Sequence, residues 1–215
     1  MTYLDLINGV LRRLREDTVT TANETDYSQL VGEFVNDAKK QVELAHKWSA
    51  LRTTVTLSTN VGTTNYTLTG AKQNTVLEQG LNDTTNQYLT LRPKHFFNDN
   101  TVLNTPADGS VTDFMFNGVN SAGDLLIQVY PTPDAVETLN FDLVIPQADL
   151  SADSTTLTIP SNPVMQMAYG MALRERGETG GQSAAEQFGV ANAALNDAIA
   201  IDANRYQDEM YYYRV

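Results

Sequence analysis

An α+β fold follows from three features of the sequence. Apolar residues recur at helical spacing near both ends, period-two alternation with many threonines fills the middle, and a helix start reappears at Ser161-Asn162-Pro163. The pattern predicts a helical bundle body of about four helices from both chain ends, residues 1–52 and 160–215, the latter ending in a C-terminal tail. An antiparallel β-sandwich or barrel-like domain, residues 53–159, is inserted between them. Such an insertion puts binding surfaces at opposite ends of one molecule, which suits a part that joins two larger objects.

The first helix rests on Leu4, Ile7, Leu11 and Leu14, with Leu6 and Val10 widening the stripe and Arg12, Arg13 and Arg15 on other faces, over about four turns. After the polar link Asp17 to Asn23, Asp26 with Gln29 three residues on predicts the next N-cap. Val31, Phe34, Val35, Ala38, Val42, Ala45 and Trp48 mark the buried side of helix two, and Lys39, Lys40 and Glu43 its wetter side, to about Leu51. Trp48 is expected to seal the junction between the helical and strand parts.

Alternation then takes over at Val55 and Leu57, Tyr66 and Leu68, Leu89 and Leu91, Phe114 and Phe116, Ile127 and Val129, and Leu139 to Ile145. Turn residues at Asn60 to Gly62, Gly70, Asn82-Asp83, Asp108-Gly109, Asn117-Gly118 and Gly123 separate these half-buried strands. The stretch between about Gly70 and Tyr88 has little pattern and reads as a protruding loop or long hairpin. A last short strand, Thr155 to Ile159, leads to Asn162-Pro163, a cap followed by proline at the first helical position. Val164, Met167, Ala168 and Met171 stripe helix three, which Gly177 is placed to end. A capping box of Ser183 and Glu186 opens helix four, with Phe188, Ala191, Leu195, Ile199 and Tyr206 as its buried positions.

Among 215 residues, 41% are hydrophobic, enough for a packed core, and none is cysteine, which excludes disulfide staples and thiolate chemistry. The opening residues lack a secretory signal pattern, and no apolar run has membrane-spanning length, so neither secretion by signal peptide nor membrane embedding is expected. The net charge of −12 is uneven: residues 53–158 hold 11 acids and 3 bases, whereas residues 1–52 hold 8 and 7. That balance opposes phosphate gripping, although an acidic channel wall would let DNA pass without sticking; a merely solubilising acidic surface is the plainer reading.

Chemistry is sparse. The two histidines, His46 and His95, form no zinc pair, and there is no phosphate loop, nucleophile elbow or complete calcium loop, so no cofactor, metal or catalytic residue is expected. His95 beside Phe96 and Phe97 reads as the anchor of an aromatic cluster. Arg174-Glu175-Arg176-Gly177-Glu178 reads either as a helix end whose arginines suit the dipole, or as cations for carboxylates of a neighbouring subunit. Tyr211, Tyr212 and Tyr213 form an aromatic tail that folds back or docks on a partner.

With these parts in place the chain resembles the head-to-tail adaptor (connector) proteins of tailed bacteriophages. The likeness is carried by Tyr3-Leu4-Asp5-Leu6-Ile7-Asn8-Gly9-Val10-Leu11-Arg12-Arg13-Leu14-Arg15-Glu16, by Trp48 closing helix two, and by Tyr169-Gly170-Met171-Ala172-Leu173-Arg174-Glu175-Arg176-Gly177-Glu178 before an Ala-rich helix. The resemblance implies a non-enzymatic virion protein at the head-tail interface, made in the host cytoplasm. It implies a homo-oligomeric ring, usually of twelve copies, beneath the portal protein, with DNA passing through in packaging and ejection. A tail, nozzle or tail-terminator protein would meet the strand domain. Helix one with Arg12 and Arg13, and Arg174, Arg176 and Glu178, would face neighbouring subunits; Tyr211, Tyr212, Tyr213, Arg214 and Val215 would dock on the portal. The alternatives are a β-domain binding module of a virion surface protein, for carbohydrate or protein, and a cell-wall hydrolase using paired carboxylates. The first calls for a sugar-stacking aromatic cluster, and the lack of tryptophan in the middle domain weighs against it.

Overall fold

A computed structural model describes residues 1–177 and 182–205. The fold is α+β, in two compact units: residues 1–51 together with 147 onward, and residues 52–146.

In the first unit, α1 (Tyr3–Arg13) starts on a reciprocal capping box. The Asp5 amide donates to Thr2 Oγ1 at 3.2 Å and the Thr2 amide to Asp5 Oδ2 at 3.1 Å. It ends after three turns rather than four. Arg15, at φ +60°, takes the left-handed position after the last turn, its N–H donating to Arg12 O while Glu16 N–H donates to Leu11 O. Helix α2 (Asp26–Ala45) is capped by Thr25 and Ser28, not by Asp26 and Gln29. It also stops short of Leu51: His46 is extended, and Ser49–Leu51 is a separate 3-10 turn. Trp48 is buried below that end, its Nε1 donating to Val42 O at 2.8 Å.

The second unit holds β1 (Arg52–Ser58), β2 (Asn65–Lys72), β3 (Val76–Asn82), β4 (Gln87–Tyr88), β5 (Thr90–Leu91), a short helix α3 (Lys94–Asn98) with a wide turn at Asp99–Leu103, β6 (Asp108–Gly109), β7 (Asp113–Val119), β8 (Asp124–Tyr130), β9 (Thr132–Pro133) and β10 (Thr138–Val144). Two four-stranded sheets, β1-β10-β3-β4 and β2-β8-β7-β5, share one core in which Phe114 of β7 meets Phe141 of β10 at 5.2 Å between ring centroids. Three expectations need correction. The sheets end in edges and do not close into a barrel. Pairing is mixed, because β5 runs parallel to β7 and β6 to β9. Of the two readings of Gly70 to Tyr88, the hairpin holds and the protruding loop does not: the stretch contains β3, an inner strand bonded to β10 and, as an antiparallel hairpin, to β4. Its polar Glu78 and Gln79 hid the alternation, since on β3 they face Arg52 and Asp142 of the same sheet.

Back in the first unit, the strand expected at Thr155 to Ile159 is only a bridge from Thr156 to Thr2, because the backbone it pairs with turns into α1 at Tyr3 and gives no strand to extend. Helix α4 (Ser161–Glu175) begins after Pro160 without the side-chain cap expected of Asn162, and Gly177 at φ +63° ends it as predicted. Helix α5 (Gln182–Ala203) takes Ser183 inside its first turn rather than as its cap. Helix α4 packs on α1, α2 and α5, burying Val164, Met165, Met167, Ala168, Met171 and Leu173.

The largest departure lies on α2, where Lys39 and Glu43 are buried rather than wet. Lys39 Nζ meets Glu43 Oε2 at 3.2 Å and donates to Gln147 O, while Gln147 N–H donates to Glu43 Oε1 at 3.1 Å. The returning backbone at Gln147 thus covers this face of α2 and gives both charges partners. Burial pushes the Glu43 carboxyl up, against the pull of Lys39. Removing one charge leaves the other stranded. Lys39→Met should therefore cost about 3–5 kcal/mol in urea unfolding, while Lys39→Met with Glu43→Leu should recover most of the loss.

Candidate functional site

The features suited to assembly lie on the helical unit's α1, α4 and α5, and on the exposed parts of the strand unit. The end of α4 is drawn to the start of the chain by Arg176. Its Nε donates to the Tyr27 hydroxyl at 2.8 Å and its Nη2 to Glu16 Oε1 at 2.6 Å, with the guanidinium 4.8 Å from the Tyr27 ring centroid. Burial pushes the Tyr27 phenol up although Arg176 pulls the other way. Arg176 is thus engaged within the chain. Arg174 is exposed, its guanidinium 5.8 Å from the Phe188 ring centroid of α5. Arg12 and Arg13 are exposed on α1; Arg13 donates to Gly9 O at 2.8 Å, as a side chain reaching back one turn does. Glu178 and Tyr211, Tyr212, Tyr213, Arg214 and Val215 lie outside the described residues, as does Tyr206.

Helix α5 is a long helix with one good packing face. Phe188 covers Gly170 of α4, Gln187 Nε2 donates to Gln166 Oε1 at 2.8 Å, and Ala184 and Ala191 are buried. Val190 and Ile201 stay 52% and 63% exposed. Its far end is tethered by Asp202, which is buried. The carboxylate accepts from Ser49 N–H at 2.9 Å and Ser49 Oγ at 2.6 Å, with His46 Nε2 3.3 Å away and Arg205 Nη1 also at 3.3 Å. This anchor escaped the sequence reading, because an aspartate near a helix end gives no sign of a partner some 150 residues earlier in the chain.

On the strand unit, three of the four Lys and Arg side chains are held in pairs: Lys72 with Asp124, Arg92 with Asp113, and Arg52 with Glu78. Asp83, Asp99, Asp108 and Asp134 remain exposed, which leaves the unit an acidic surface. Tyr88, Val102 and Leu103 are exposed apolar groups on the same unit. Phe96 and Phe97 of α3 cluster with Tyr130, while His95 itself is exposed and does not anchor them. The most enclosed carboxylate here is Glu137, accepting from Asn82 Nδ2 at 2.9 Å, Val111 N–H at 3.0 Å and the Ser110 hydroxyl. Its oxygens are filled by donors of the fold, which is a structural arrangement and not that of a reactive acid. Among the described residues no group of three or more His, Cys, Asp or Glu side chains could hold a metal, and no helix is long and apolar enough to cross a membrane.

Burial alone would raise the Asp202 carboxyl, but the bonds from Ser49 with the nearby His46 and Arg205 outweigh it and hold the group below the usual carboxylate range. A depressed folded value means stability that is complete above the unfolded value and lost as pH falls through the folded one. Asp202→Asn should accordingly cost about 1–2 kcal/mol at pH 7, and the gap to the parent should close below about pH 4 in pH-resolved thermal melts.

No curated protein matches the sequence significantly. A profile of the SU10 adaptor protein family matches residues 1–214, almost the whole chain, including the opening helix and the segment around Arg174 that carry the resemblance. The chain therefore belongs to the SU10 adaptor protein family, a family of phage head-to-tail adaptors.

Proposed function

We propose that this adaptor assembles as a ring, of twelve copies in the related connectors, beneath the portal and coaxial with the DNA channel, and joins the portal to a tail-side protein. The observation that carries this reading is the family match over residues 1–214, on a chain built as two units with unlike surfaces. The helical unit supplies exposed helix faces for neighbouring copies. The strand unit, with its exposed carboxylates and exposed Tyr88, Val102 and Leu103, supplies the tail-facing or channel-facing surface. Its excess of acid suits DNA that must slide past without being gripped. The role is structural and needs no catalytic group, cofactor or metal.

In this reading the C-terminal segment with Tyr211 to Val215 docks on the portal, tyrosines being favoured where an apolar body and a polar tip are both used. Portal rings from the same genome, mixed with the purified protein, should carry an added coaxial ring in electron-microscope images and co-sediment with it. The chain cut after Arg205 should lose co-sedimentation. Unchanged binding of the truncated chain would refute the docking role, and no binding of the full chain would refute the adaptor role itself.

A further inference from the structure

Two faces of the helical unit complement one another yet do not meet within it. The first is the outer side of α5, where Val190, Ala193, Asp197 and Ile201, spaced by three, four and four residues, are all exposed along one stripe. Residues 182–203 contain no lysine or arginine; of their three acids, Glu186 and Asp197 are exposed and Asp202 is buried in its tether to Ser49. The second is the end of α1, where three arginines fall within four residues. Arg13 bonds its own helix, but neither the Arg12 nor the Arg15 guanidinium makes a hydrogen bond or ion pair among the described residues, and both are exposed.

Arg15 is also misplaced by local criteria. It sits in the left-handed conformation that closes α1, the same position that Gly177 fills at the end of α4. A side chain there is strained, and glycine would be free of that strain. Strain kept at a surface position points to a use for the side chain.

Helix α4 keeps the two faces apart. Gly9 of α1 lies against Met165, whereas Phe188 of α5 lies against Gly170, five residues on and about 140° round the helix. A surface of one charge and a surface of the other, on different sides of one unit, fit a head-to-tail contact between copies. Such a contact closes into a ring when its rotation divides a full turn.

We propose that the outer stripe of α5 in one copy receives the α1 end of the next copy, Arg12 and Arg15 meeting Asp197 beside an apolar seam of Val190, Ala193 and Ile201. The occupant is a second copy of this chain, and the assignment rests on the ring-forming adaptor reading above. It adds the α5 partner, which the arginines alone do not identify.

Charge exchange on portal rings from the same genome tests it. Arg12→Glu and Asp197→Arg should each lower the copies bound per portal by about tenfold, because each sets like charges face to face, and the double exchange should restore them. Arg15→Gly should raise the melting temperature of the free protein while weakening ring assembly, a split that a purely structural role would not produce. The chain has no cysteine, so Arg12→Cys with Ile201→Cys, joined by a short bis-maleimide on the portal, should give a ladder of linked multimers, and either cysteine alone should stop at dimers. Full rings from both single charge reversals and no ladder would overturn this interface and leave the adaptor reading standing. Absence of any ring from the unaltered chain would overturn both.

Discussion

Helix α4 is the element on which the helical unit depends. Helices α1 and α2 present apolar stripes that a pair of helices cannot cover by itself, and both turn them toward α4, which also carries α5. Val164, Met167, Met171 and Leu173 are buried there, at about 1.5–3 kcal/mol for each large apolar side chain. Together these approach the net stability of a typical domain, about 5–15 kcal/mol. The start of the chain therefore has no complete core until the end of the chain arrives. That requirement explains why the strand unit appears as an insertion rather than as a terminal domain.

Three polar clamps repeat the same logic. Lys39 and Glu43 of α2 hold the backbone at Gln147, where the chain returns from the strands. Asp202 of α5 holds Ser49, just before the chain leaves for them. Arg176 at the end of α4 holds Tyr27 and Glu16. Each joins a late segment to an early one, and together they fix both places where the inserted unit is attached. On the insertion's own side, β1 and β10 pair from Arg52 with Val144 to Ser58 with Thr138, so its two ends lie next to each other. A unit with adjacent ends can enter a helical body without pulling it apart.

Periodicity made the helices and most strands legible, because Leu6, Val10, Val31 and Val35 or Phe141 and Leu143 must face a core in any fold of that period. It failed where side chains answered to distant partners. Lys39 looked like a wet residue of α2, and only the backbone at Gln147 makes its burial tolerable. Strand β3 was hidden by Glu78 and Gln79, whose partners are on β1 and β10 of the same sheet. The cap of α2 was misplaced by a single residue, since Thr25 and Asp26 are both able N-caps and the choice turns on Ser28, which also donates to Ala22 O. For the proposed contact surfaces, sequence singled out the arginines at the ends of α1 and α4. It could not say that Arg176 is engaged internally while Arg12 is free of hydrogen bonds and ion pairs among the described residues, or that α5 keeps an apolar stripe exposed.

The claim that both chain ends build one body is tested most directly by removing what lies between them. A chain of residues 1–51 joined through a short Gly-Ser linker to residues 147–205 should melt as one cooperative helical unit in circular dichroism, whereas residues 1–51 alone should show no cooperative transition. A cooperative transition in the 1–51 fragment, or an unfolded joined chain, would contradict the account.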